Sequence, residues 1–145
     1  MDYFNIFDIS ASGMEVQKVR LDTVALNLAN VNTTRSAEGG PYKPLEVVVG
    51  ERLAASFEGL LNDSSQAYRA GAEVVSIQPL NTEPRLAYEP EHPDANAEGF
   101  VAYPNVNPVS EMVKLMEATR AYEANVKAVN AAKTMALRAL EIGDN

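Results

Sequence analysis

The single histidine, His92, stands among Glu89, Glu91 and Asp94, and an imidazole with several carboxylates is a donor set that can hold a divalent metal. Paired carboxylates are also the residue types for general acid–base catalysis. Neither chemistry is expected here. The stretch is broken by Pro90 and Pro93, adjacent acids on such a loop ordinarily stay solvated, and nothing in their spacing places them in a pocket. The chain has no cysteine, which excludes disulfides, thiolate metal sites and cysteine nucleophiles. Gly39-Gly40-Pro41 is a turn signal without the lysine of a phosphate loop. Asn32-Thr33-Thr34 and Asn62-Asp63-Ser64 match the glycosylation triplet, which is common by chance and needs a secretory signal to matter. Met14, Met112, Met116, Met135 and Tyr122 read as packing residues. The sequence therefore points to no enzyme, no cofactor and no metal site.

The elements that would position side chains are easier to read. Asn107 can cap a helix that Pro108 begins, and no glycine or proline follows until Gly143. Alanines, Leu115, Met116, Leu137 and Leu140 favour a helix over Asn107–Ile142, about 50 Å long at about 1.5 Å per residue. A heptad seam runs through Met112, Leu115, Thr119, Tyr122, Val126, Val129, Lys133, Ala136 and Leu140. Val109, Val113, Met116, Met135 and Leu137 lie off that seam, so more than one neighbour is needed to cover the helix. Tyr3–Asn30 also reads as a helix, with Phe4, Phe7, Ala11, Met14, Lys18, Leu21, Ala25 and Leu28 at heptad spacing. Gly13 weakens its middle, and Asn30, Asn32, Thr33 and Thr34 end it by competing for backbone hydrogen bonds.

Between the helices, Leu45–Val49 and Ala72–Gln78 read as strands of a small hairpin. Glu51–Leu61 is ambiguous and Asn62–Gln66 is turn-like. Pro79–Asn107 holds five of the eight prolines, which excludes a helix there and disfavours a continuous strand. An extended, irregular segment lying along the helices is expected, anchored by Tyr88, Phe100, Val101 and Tyr103. The fold class is thus mainly α: two long terminal helices forming a coiled-coil-like pair, with a small β-hairpin and an extended proline-rich middle. Three parts follow, 1–34 and 108–145 as an inner helical domain and 35–107 as an outer middle segment.

Net charge is −8 and lies in the middle. Residues 1–35 carry four acids and three bases, 36–107 carry eleven and four, and 108–145 carry five and five. Near-neutral ends can pack against copies of themselves, while an acidic middle suits a solvated face. The absence of a basic stripe argues against nucleic acid. No apolar run approaches the roughly 20 residues of a membrane span, and the start Met1-Asp2-Tyr3 has no basic signal region.

Three motifs then fall in order. Ser12-Gly13-Met14 with Ala25-Leu26-Asn27-Leu28-Ala29-Asn30-Val31-Asn32-Thr33-Thr34 resembles the opening signature of the bacterial flagellar rod and hook proteins. Glu111-Met112-Val113 with Ala118-Thr119-Arg120-Ala121-Tyr122-Glu123-Ala124-Asn125-Val126 resembles their closing signature. Tyr88-Glu89-Pro90-Glu91-His92-Pro93-Asp94-Ala95, Gly99-Phe100-Val101 and Tyr103-Pro104-Asn105-Val106-Asn107 narrow the resemblance to proximal-rod members. Gly50–Gly71 matches nothing in that pattern. Leu26 and Glu91 depart from it, where a polar residue and a glycine are usual.

The resemblance implies a structural subunit of the flagellar basal body, exported by the flagellar type III apparatus without a cleaved signal. It would polymerise helically as a rod in the periplasmic space, transmitting torque and enclosing the export channel. Its partners would be copies of itself, other rod proteins, and adjoining membrane-ring and export-apparatus components. The assembly interface would comprise Phe7, Met14, Leu21, Leu28, Asn30, Met112, Leu115, Tyr122, Asn125, Val126, Val129 and Leu140. The alternative is a cytosolic coiled-coil adaptor or chaperone forming a closed oligomer.

Overall fold

The computed structural model describes residues 3–53 and 69–143. The expectations for the later part of Glu51–Leu61 and for Asn62–Gln66 lie outside the described residues. The elements in order are α1 (Tyr3–Ala29), β1 (Leu45–Leu53), β2 (Arg69–Pro79), β3 (Arg85–Tyr88), β4 (Phe100–Tyr103) and α2 (Pro108–Gly143). β1 pairs with β2 and β3 with β4, giving two small antiparallel sheets. Two compact units divide the chain. One takes Met1–Val19, Val49–Val75 and Ala118–Asn145, the other Arg20–Val48 and Ser76–Glu117.

The helix ends follow local chemistry. Asn107 Oδ1 accepts hydrogen bonds from the backbone N–H of Val109 (3.0 Å) and Ser110 (3.3 Å), satisfying donors that the first turn leaves free. α1 stops at Ala29, and Asn30 Nδ2 donates to the Leu26 carbonyl at 2.9 Å, taking up one of its last acceptors. Thr33 Oγ1 then donates to Asn30 Oδ1 at 3.1 Å.

The expected mainly-α class is corrected: the structure is 49% helical and 21% strand, two helices accompany two small antiparallel sheets, and two features of the expectation differ. The first is the coiled-coil-like pair. On α2, Met112, Thr119, Lys133 and Leu140 of the expected seam are exposed, and the fully buried positions are Glu111, Ala118 and Ala132. On α1, Ala11, Lys18 and Ala25 are exposed, while Ser10, Ser12, Val16, Thr23, Val24 and Asn27 are buried. Heptad logic puts large aliphatics inward. Apart from Val16 and Val24, the buried positions are small or polar, which suits close approach and hydrogen bonding rather than interdigitated knobs.

The second correction concerns the proline-rich middle, which is not a continuous irregular strap. β3 and β4 form a hairpin in the register Arg85↔Tyr103, Leu86↔Ala102, Ala87↔Val101 and Tyr88↔Phe100. The prolines bracket these strands: Pro84 immediately precedes β3 and Pro104 immediately follows β4, where no ladder donor is lost. At one end of the ladder the Arg85 guanidinium lies 5.3 Å from the Tyr103 ring centroid, and at the other Tyr88 and Phe100 meet edge to face at 5.3 Å. Of the four expected anchors, Val101 is fully buried, Tyr103 is half-buried, and Tyr88 and Phe100 are exposed.

In the first unit, β2 and α2 both approach α1 at small residues. Ser12 Oγ donates to the Ile9 carbonyl (2.8 Å) and accepts the Ala72 N–H (3.1 Å). Gly71, at φ +119°, leaves no room for a side chain, because a Cβ there would overlap Ser12. One turn of chemistry therefore explains Ser12-Gly13: the serine bonds a strand and the glycine makes room for the Asn125 side chain of α2.

Candidate functional site

The second unit is built around a buried amide. Asn27 is 2% exposed, and all four hydrogen-bonding positions of its side chain are filled. Oδ1 accepts the Leu45 N–H (2.8 Å) and the Tyr42 hydroxyl (2.9 Å). Nδ2 donates to the Leu45 carbonyl (2.9 Å) and to Glu111 Oε2 (3.1 Å). The amide thus engages both backbone groups of Leu45, as a neighbouring strand would, and ties the start of β1 and the first turn of α2 to α1. Glu111 is 5% exposed, and its other oxygen, Oε1, accepts from Lys114 Nζ at 2.6 Å. Burial raises the Tyr42 pKa above its ordinary value, and the Glu111 carboxylate pushes it the same way. Tyr42 stays a protonated donor in consequence.

The acidic loop is ordered by its own turns. His92 N–H donates to the Glu89 carbonyl (3.1 Å), Ala95 N–H to that of His92 (3.0 Å), and Gly99 N–H to that of Asn96 (2.9 Å). His92 Nδ1 accepts the Asp94 N–H at 3.1 Å, so this nitrogen is occupied as an acceptor. The Asp94 carboxylate accepts from Thr34 Oγ1 (2.8 Å) and pairs with the Arg35 guanidinium (2.6 Å). A cavity of about 210 Å³ opens beside that pair, lined by Thr34, Arg35, Gly40, Pro41, Asp94 and Ala102. Tyr103 donates to Glu89 Oε2 at 3.0 Å, and that bond is the main reason its pKa is raised. These acids tie loops together; among the described residues no three His, Cys, Asp or Glu side chains gather to hold a metal ion.

The residues expected at an assembly interface divide by exposure. Phe7, Met14, Leu21, Leu28, Asn30, Leu115, Asn125, Val126 and Val129 are half-buried, whereas Met112, Tyr122 and Leu140 are exposed. Large apolar side chains lie uncovered elsewhere on the helices. Val109, Met112, Val113 and Met116 are 43–70% exposed, and their i, i+3, i+4, i+7 spacing puts them on one face of α2. Met135, Leu137 and Leu140 on α2, and Ile6, Ile9 and Leu26 on α1, are exposed as well. Single exposed aliphatics need no explanation, but four on one helix face form a patch of the kind that proteins cover by association. Asn27, Tyr42 and Glu111 were not among the expected site residues. Their only sequence signal is a polar residue on a turn otherwise facing apolar neighbours, which does not distinguish Asn27 from Asn30.

Two long helices flanking a small β middle, with an uncovered apolar face on α2, fit the class of proteins that associate through helical surfaces. Residues 7–35 match the family described as "Flagella basal body rod protein", and residues 97–142 match "Flagellar basal body rod FlgEFG protein C-terminal". The chain is 43% identical over 150 residues to the flagellar basal-body rod protein FlgC of Bacillus subtilis, covering 99% of each. It is 41% identical over 145 residues to FlgC of Aquifex aeolicus, covering 97% of each, and 38% identical over 143 residues to that of Escherichia coli O6:H1, covering 99% of each. The chain belongs to the FlgC family of flagellar basal-body rod proteins. A closed-oligomer adaptor or chaperone gains no support from these relatives. No helix among the described residues is long and apolar enough to cross a membrane.

Proposed function

We propose that this chain is a non-enzymatic structural subunit of the proximal rod of the flagellar basal body. It polymerises helically through its terminal helices, transmits torque and helps enclose the export channel. It reaches the periplasmic space through the flagellar type III apparatus without a cleaved signal. There it contacts copies of itself, other rod proteins, and the adjoining membrane-ring and export components. Residues 1–34 and 108–145 form the inner helical domain, and the acidic 35–107 segment lies outward.

The observation that carries this reading is the uncovered apolar face of α2, with Val109, Met112, Val113 and Met116 exposed on a helix of four acids and five bases, close to neutral. A heterologous, non-closing contact through such surfaces builds a helical tube. Met112→Asp, on that face, and Val126→Asp, at another expected interface position, introduced separately into the chromosomal copy, test it. Each is expected to abolish rod assembly and motility while the secreted protein keeps its helical circular dichroism. Normal motility in both variants would overturn the interface assignment.

A further inference from the structure

Glu111 and the exposed quartet lie on opposite sides of the same first turns of α2. At 100° per residue, Glu111 sits roughly 150° around the axis from the centre of Val109, Met112, Val113 and Met116. The Glu111 carboxylate is held on both oxygens, by Asn27 Nδ2 and by Lys114 Nζ. Asn27 is itself fixed by Leu45 and Tyr42. Along the covered face of α2 the fully covered apolar side chains are alanines, Ala118 and Ala132, and Leu115 is only half-buried, so apolar packing fixes the rotation less sharply than a buried, fully bonded amide–carboxylate contact with one register.

We propose that the Asn27–Glu111 contact is a rotational key: it sets which face of α2 is turned outward before any partner arrives. A rotation by one residue would bury Met112 and pull Glu111 away from Asn27, leaving Asn27 Nδ2 and Glu111 Oε2 without their mutual bond. The key therefore keeps the apolar quartet available and keeps a carboxylate off that surface. That the quartet then meets another subunit rests on the rod-subunit reading; the orientation itself does not.

The absence of cysteine allows a direct test. Met112→Cys and Ala118→Cys are made separately in the full chain, and their rates of reaction with a small thiol reagent are compared in dilute solution. The exposed 112 position is expected to react at least about tenfold faster than the buried 118 position. Asn27→Asp places two carboxylates in contact and should bring the ratio toward one. Adding Glu111→Gln removes one carboxylate and supplies an amide donor to Asp at position 27; the Leu45 carbonyl still faces a carboxylate oxygen there, so part of the ratio should return. Should Asn27→Asp lose its helical circular dichroism, Glu111→Ala carries the test, with the same collapse expected. A ratio unchanged by Asn27→Asp or by Glu111→Ala, or a double variant no better than Asn27→Asp, would overturn the key. Because the labelling needs no assembly, failure here leaves the rod-subunit reading standing, and failure of that reading leaves the key standing.

Discussion

Gly13 of α1 faces Asn125 of α2 so closely that a Cβ built on the glycine would stand 2.9 Å from Asn125 Nδ2. The glycine that weakens α1 locally, by roughly 1 kcal/mol relative to alanine, leaves room for the amide end of the Asn125 side chain. Gly13→Val is expected to lower the stability of the free chain by about 1–3 kcal/mol through overpacking. Asn125→Ala in the same chain should return part of that loss. Urea denaturation of the two variants checks it, and a Gly13→Val chain as stable as the parent would show that the Asn125 side chain does not pack against this position.

Removing the Asn27 amide should be costlier. Asn27→Ala leaves the Leu45 N–H and carbonyl, the Tyr42 hydroxyl and Glu111 without this partner in a buried place. A loss of about 2–4 kcal/mol is expected. Leu26→Ala, at an exposed neighbour on the same turn, should change stability by less than about 0.5 kcal/mol. Thermal unfolding of both variants distinguishes a buried polar tie from general helix loss.

Tyr42 adds a pH dependence at the alkaline end. Its folded pKa is raised above 10.0 by burial first and by Glu111 second. The unfolded chain releases the phenolic proton sooner, so the contribution of Tyr42 is fully present below about pH 10 and is lost as pH rises through the folded value. Tyr42→Phe should remove this part of the alkaline fall in stability. Unfolding midpoints of parent and variant between about pH 8 and 11 check the sign, which would be wrong if the two curves stayed parallel.

Gly71 supplies a fourth expectation. Its φ of +119° and the overlap a Cβ would have with Ser12 act together, whereas Gly39, at φ +83°, has open space around it. Gly39→Ala is expected to cost about 1 kcal/mol, from backbone strain alone. Gly71→Ala should cost clearly more, and Ser12→Ala should lessen the difference. Equal losses for the two glycines, measured in urea, would remove the close approach of β2 to α1.

Both helices are legible in the sequence because their boundary chemistry is local. Asn107 and Pro108 announce the start of α2, and Asn30 with Thr33 closes α1. The way the helices pack is not legible, because a seam drawn from hydrophobicity puts Met112 inside and Glu111 outside, and the structure does the reverse. The preference is inverted by Asn27, a residue 84 positions away whose amide makes burial of a carboxylate favourable. The β3–β4 hairpin escaped a composition reading for a similar reason. Prolines forbid a strand only where their missing N–H is needed, and Pro84 and Pro104 fall just outside the ladder. The family signature was readable without any of this, since it depends on the order of motifs.

A density map of the assembled basal body, with this chain traced, is the most direct measurement of the central claim. Val109, Met112, Val113 and Met116 are expected to lie within about 4.5 Å of apolar side chains from neighbouring subunits. The same four side chains facing open solvent in the assembled rod would contradict it.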